Sequence, residues 1–213
     1  MKLYGYWRSG ATYRLRIALA LKGLSYEYAP VNLLKDEQKS PSYLKVSPQG
    51  LLPAFVAEGG ATLTQSLAII EYLDELYPSP PLLPKQPIAR AQARQIAYAI
   101  ACEAQPLQNL RTQKYLKALP GFDDDAMRQW LDTWVGGAMK AVDEMIGEAG
   151  GAYCVGDEPT RADICLVPQV YAALRFGVDL SGLDRLNAIY ERCVSLDAFK
   201  KAHPDEQSDA VKA

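Results

Sequence analysis

Hydrophobic and polar positions change period along the chain, and the changes divide it. Residues 2–6 alternate and predict a strand. Residues 13–22 place Leu15, Ala18, Leu19 and Leu21 at helical spacing and predict a helix that Gly23 closes. Residues 26–31, with aromatic and β-branched types, predict a second strand. A polar stretch follows, with room for one short helix near Tyr43 and Leu44. Residues 51–56 predict a strand with Pro53 near its start, Glu58-Gly59-Gly60 a turn, and residues 61–64 the paired strand. Ser66 then caps a helix over 67–76, where Ile69, Ile70, Leu73 and Leu76 share a face. A β-α-β unit followed by β-β-α calls for one parallel crossover and one antiparallel hairpin.

Residues 77–84 hold four prolines and suit neither helix nor central strand. Beyond them the periodicity is helical throughout: 88–118 with Pro106 as an interruption, 124–146, 160–176, 183–193 and 197–202. Thr160-Arg161-Ala162-Asp163 has the form of a capping box. Trp130, Trp134, Met139 and Met145 read as helix core, and the polar tail after His203 is expected to fray. The organisation is therefore an α/β domain over 1–80, a Pro-rich linker over 81–87 and an all-helical domain over 88–213.

Composition narrows the class. The 213 residues are 49% apolar and 23% charged, an ordinary globular balance. A net charge of −2 offers no positive excess to nucleic-acid phosphates. No apolar run reaches the ~18 residues that a membrane span needs. The chain moves straight into a strand, with no basic region followed by an apolar one, so no secretory signal is expected. Cys102, Cys154, Cys165 and Cys193 show no C-x-x-C spacing, and His203 is the only histidine, so no metal site is expected. These readings suit a cytoplasmic protein with reduced thiols that binds neither membrane, nucleic acid nor metal.

Three groups of residues carry candidate chemistry. Arg8-Ser9-Gly10-Ala11 joins the first strand to the first helix, where free N–H groups and the positive helix end favour an anion. If that anion is a thiolate, a fall of ~2 units from a free value near ~8.5 ionises most of it, at ~1.4 kcal/mol per unit. The plain alternative is that Ser9 is an N-cap and nothing more. Leu52-Pro53 with a cis bond would turn backbone groups outward for an extended peptide, and Gln65-Ser66 at a strand-to-helix junction suits a carboxylate. A simple bend and a simple cap are the alternatives there. Arg8, Arg111 and Arg175 offer forks that match carboxylates, against the alternative of solvated surface arginines.

Taken together, stretches 8–19, 65–73, 105–110 and 163–169 resemble the zeta class of the glutathione transferase superfamily over nearly the whole chain. That class includes maleylacetoacetate and maleylpyruvate isomerases. The resemblance implies a thioredoxin-like N-terminal domain, an all-α C-terminal domain, a homodimer, and glutathione as cofactor between the domains. It implies that Ser9 activates the thiol, with Gly10 and Ala11 beside it. Leu52, before a cis Pro53, would pair with the cysteinyl backbone, Gln65 and Ser66 would hold the γ-glutamyl end, and Gln105 and Asn109 would line the site. Arg175, with Arg8 and Arg111, would grip the carboxylates of a diacid. The implied reaction is cis–trans isomerisation by reversible thiolate addition, most simply maleylacetoacetate to fumarylacetoacetate. Maleylpyruvate isomerisation, a general transferase activity and a non-catalytic glutathione-binding module are the alternatives. One departure stands out: the family's usual Ser-Ser-Cys loop is Ser9-Gly10-Ala11 here, so position 11 supplies no thiol.

Overall fold

Strand β1 (Lys2–Gly5) lies parallel to β2 (Glu27–Pro30) and antiparallel to β3 (Ala54–Val56), which pairs antiparallel with β4 (Thr62–Thr64). The sheet order is β2-β1-β3-β4. The computed structural model in which this is seen describes residues 1–211, Glu148 by its backbone alone. Two compact units emerge: Met1–Pro81 together with the segment from Ser195 onward, and Leu82–Val194. The first holds the mixed sheet and its helices, and the second is helical, as the α/β-plus-all-α expectation required.

Helix α1 (Gly10–Leu21) makes the crossover between β1 and β2. It begins three residues before the apolar period does, because the Ser9 side chain accepts from Thr12 N and caps it there. It ends where Gly23, at φ 65°, allows Gly23 N to reach Ala20 O and Leu24 N to reach Leu19 O. The short helix α2 (Pro41–Leu44) starts on a Ser40 cap, and α3 (Ser66–Leu76) follows β4. Helix α1 packs against both α3 and α11 (Asp197–Ala202), so every residue from Thr12 to Leu19 is buried. Leu15, Ile17 and Leu19 each contribute about 1.5–3 kcal/mol through that burial. Gly5 permits the close approach of β1 to α1, since a Cβ there would overlap the Thr12 side chain and the Tyr28 ring. Buried Lys22 ties helix ends together by donating to Asp74 Oδ1 at 2.8 Å and to the carbonyls of Tyr77 and Pro80.

The tail corrects the expectation of fraying. A 3-10 turn over Pro204–Glu206 follows α11, Pro204 is buried, and Asp209 accepts from Trp7 N at 3.0 Å. Length and polarity suggested solvent, but a long-range pairing holds the segment down.

In the second unit, α4 (Pro87–Tyr98) runs through wide π-type turns (Ala99–Ala104) into α5 (Gln105–Leu107). The chain breaks at Gln108-Asn109 and resumes as α6 (Leu110–Lys117), so the expected 88–118 helix is segmented at and after Pro106. Side chains take the freed carbonyls: Thr112 Oγ1 donates to Pro106 O, Trp130 Nε1 to Leu107 O and Gln113 Nε2 to Gln108 O. Helices α7 (Asp124–Leu131) and α8 (Gly137–Ala149) are joined by further π-type turns over Asp132–Gly136. Trp134 is not core: it is 47% exposed and leans on the Trp130 ring at 5.7 Å. Helix α9 (Arg161–Arg175) packs against α4 and α10 (Asp184–Val194), and Arg161 through Val170 are buried. Among the described residues no helix is long and apolar enough to cross a membrane, and all four cysteines are free.

Candidate active site

The first unit gathers most of the candidate residues at three chain junctions. At the β1-to-α1 junction, Ser9 N donates to Tyr6 O at 3.0 Å, and Ser9 O accepts the first helical bond from Tyr13 N at 2.8 Å. The Ser9 hydroxyl accepts from Thr12 N at 3.3 Å, which leaves its proton to donate elsewhere. Gly10 and Ala11 are the first two residues of α1, so their N–H groups have no acceptor within the helix. No acidic residue stands in this first turn to offset the helix's positive end. Arg8 is half-buried and stacks its guanidinium over the Trp7 ring at 4.6 Å. A hydroxyl, two free amides and a cation therefore meet in one loop, an arrangement that favours an anion such as a thiolate.

At the entry to β3 the Leu52–Pro53 peptide is cis. At the β4-to-α3 junction Gln65 adopts φ 70° and ψ 109°, a conformation costing on the order of 1–3 kcal/mol for a residue with a side chain. Such strain is retained where a site needs the geometry, and here it starts α3 immediately at Ser66. Gln65 Nε2 donates to Gln49 Oε1 at 2.7 Å, which brings in a residue the sequence did not single out. Arg14 was missed as well. It is 2% exposed, and its Nη1 donates to Ser66 Oγ at 3.5 Å, so a buried cation backs the hydroxyl suited to a carboxylate. Its spacing offered a signal, since residue 14 lies one helical turn before Ala18 on the inward face.

The second unit holds the other four. Gln105 and Asn109 flank the break between α5 and α6, both half-buried. The Asn109 side chain accepts from Arg111 N at 3.2 Å and so caps α6, with exposed Arg111 in its first turn. Gln108 and Gln169 exchange two amide hydrogen bonds, each 3.0 Å, and fasten this break to α9. Arg175 lies in the last turn of α9, exposed, its guanidinium 4.1 Å over the Phe176 ring. Stacking of that kind holds the fork flat. A cavity of about 380 Å³ beside Tyr4, Val31, Tyr43 and Val46 is lined by none of these residues.

Comparison with known proteins gives the family of the chain. The family described as glutathione S-transferase, N-terminal domain, matches residues 1–75. The maleylacetoacetate isomerase of Pseudomonas aeruginosa is 46% identical over 215 residues, which cover 100% of each chain. The maleylpyruvate isomerase of a Ralstonia species is 42% identical, covering 99% of this chain and 100% of its own. The crystal structure of a maleylacetoacetate isomerase from Methylobacterium extorquens, with bound malonate and glutathione, superposes with a TM-score of 0.95 at 37% identity over 100% of both chains.

Proposed function

The chain belongs to the zeta class of the glutathione transferases, the family of the maleylacetoacetate and maleylpyruvate isomerases, and on that premise we propose that it is a glutathione-dependent cis–trans isomerase acting on maleylacetoacetate. The observation that carries the reading is the start of α1, where Ser9 and two unspent amides follow Arg8 and no acidic residue stands in the helix's first turn. The residues fit the tripeptide: Ser9, Gly10 and Ala11 suit its sulfur, Leu52 at the cis Pro53 its peptide backbone, and Gln65 with Arg14-backed Ser66 its γ-glutamyl carboxylate. When bound, glutathione supplies a nucleophilic sulfur, the means of lowering the bond order of a conjugated alkene without an external reagent.

The protein's own residues do the rest. The Ser9 hydroxyl donates to the sulfur while accepting from Thr12 N, so its orientation is fixed before substrate arrives. Gly10 carries no side chain and Ala11 only a methyl, which leaves the two amides approachable in place of the family's second hydroxyl and thiol. Arg8 is assigned to a substrate carboxylate and to negative charge that develops there during reaction, and Arg111 and Arg175 are the arginines of the helical unit assigned to carboxylates. In the helical unit, Gln105 and Asn109 are the polar residues assigned to ligand contact at the break between α5 and α6. We assign the protein to the cytoplasm as a homodimer. Ile88 and Tyr98 of α4, 69% and 41% exposed, are apolar side chains that a second copy would cover. Neither nucleic acid nor metal enters this reading.

A parallel assay tests it. Maleylacetoacetate is expected to isomerise only when glutathione is added, and faster than maleylpyruvate does. Turnover in the complete absence of glutathione would refute the assignment, and a preference for maleylpyruvate would move the protein to the other isomerase of the family.

A further inference from the structure

The segment expected to fray ends against the loop that carries Ser9. Asp209 Oδ2 accepts from Trp7 N at 3.0 Å, across 202 residues of chain, and from the Tyr28 hydroxyl at 3.2 Å. On the other side of the same residue, Arg16 Nη2 donates to Trp7 O at 2.9 Å, while Arg16 Nε donates to Ala202 O at 2.9 Å. Arg16 is 1% exposed and lies over the Tyr13 ring. Burial pulls its guanidinium below the ordinary range, while Tyr28, Tyr26, Tyr13 and Asp209 around it favour the charged form. Both peptide groups of Trp7 are thus gripped by charged side chains, one brought by α1 and the other by the tail.

We propose that the C-terminal segment is a positioning clasp for the catalytic loop, with Asp209 and Arg16 fixing the backbone of Trp7 and, through it, the placement of Arg8 and Ser9. The connection is short. Trp7 is two residues from Ser9 and its ring is the platform on which Arg8 stacks. A hydrogen bond to a charged group holds a backbone more firmly than a neutral one. Displacing a catalytic group by about 1 Å costs up to ~10²-fold in rate, so a remote anchor of this loop has kinetic weight. The hydrogen-bond partners of Asp209, Trp7 and Tyr28, are not candidate ligand residues, and it is Trp7 that links it to the loop carrying Ser9.

The proposal rests on the assignment of Ser9 and is tested beside it. The readout is the pH midpoint for thiolate formation on glutathione bound to the full-length protein, followed by ultraviolet absorbance, together with kcat and KM. Asp209→Ala is expected to raise the midpoint by about one unit and lower kcat about threefold near neutrality, with KM for the diacid unchanged. Asp209→Asn keeps an oxygen that accepts from Trp7 N and is expected to shift the midpoint in the same direction but less. Asp205→Ala removes a charge from the same segment without touching Trp7 and is expected to leave the midpoint alone. An unmoved midpoint in Asp209→Ala, or in Asp209→Asn should the alanine variant not fold, overturns the clasp. An unmoved midpoint in Ser9→Ala overturns the role of Ser9 instead.

Discussion

At the start of α9, Thr160 Oγ1 accepts from Ala162 N at 3.2 Å, and Asp163 reaches back to Thr160 N at 2.7 Å. The same carboxylate also accepts from Thr160 Oγ1 and from Cys154 N, each at 2.9 Å, and is wholly buried. At the start of α1, Ser9 makes the equivalent hydroxyl cap at 3.3 Å, but no acid follows and the junction is half-buried. Both helices present unpaired donors and a positive end, as every helix does. The first satisfies them with the Thr160 and Asp163 side chains and, at Arg161 N, with the carbonyl of Leu82, and what remains is a rigid element at the centre of the helical unit. The second leaves them available, and what remains is a place for an anion. Identical cap chemistry serves structure or function according to whether a carboxylate is built into the first turn.

The largest effect should come from undoing the closed start. Asp163→Ala strips the acceptor from two buried N–H groups and one hydroxyl, and is expected to cost about 3–5 kcal/mol of folding stability. Urea unfolding measures this directly. Glutathione thiol ionisation in the folded fraction is expected to be unchanged. A loss below about 1 kcal/mol would mean that the box is ornamental and that the contrast between the two helix starts is one of form only.

How much of this contrast was legible beforehand differs between the two ends. The box on α9 could be read directly, because Thr160 and Asp163 are neighbours in sequence and the capping rule is local. The sheet and α3 were legible for the same reason. The open state of α1 was not, since a lone serine before an apolar stretch looks the same whether or not its donors are spent. Its functional reading came from resemblance across several distant stretches. Arg14 and Arg16 escaped because a helix packed against both α3 and α11 is buried nearly all round, and charged residues inside it no longer mark an outward face. Asp209 escaped because its partner lies 202 residues away, beyond any periodicity. The helix over 88–118 was recognised as interrupted but not as segmented, because π-type turns carry no sequence period of their own.

A smaller effect should follow from making the open start resemble the closed one. Ala11→Asp places a carboxylate in the first turn of α1, where it offsets the positive end and is expected to add about 0.3–1 kcal/mol of stability. The same charge opposes a thiolate, so kcat/KM is expected to fall about 10- to 100-fold. Ala11→Asn, nearly the same size without the charge, separates electrostatics from crowding and is expected to retain most of the activity. Melting temperature and steady-state kinetics on the pair suffice. If Ala11→Asp were as active as the unaltered protein, the absence of an acid from this turn would have no functional meaning.

The smallest effect concerns the charge that the closed start does contain. Burial raises the Asp163 carboxyl above its ordinary value of 3.8, against the opposing influence of its hydrogen bonds from Cys154 and Thr160. Below 3.8 both the folded and unfolded forms are protonated, and the group's full contribution to stability is present. As pH rises through the higher folded value, the native protein must ionise a buried acid, the unfolded chain having already released its proton, and that contribution is lost. The stability advantage of the unaltered protein over Asp163→Asn is therefore expected to shrink from acid toward neutral pH, measured by urea unfolding at matched salt. An advantage that grows instead would show that the donors from Thr160 and Cys154 outweigh desolvation. The closed start would then be an anion site in its own right, occupied by a side chain of the protein, and the two helices would differ only in where their anion comes from.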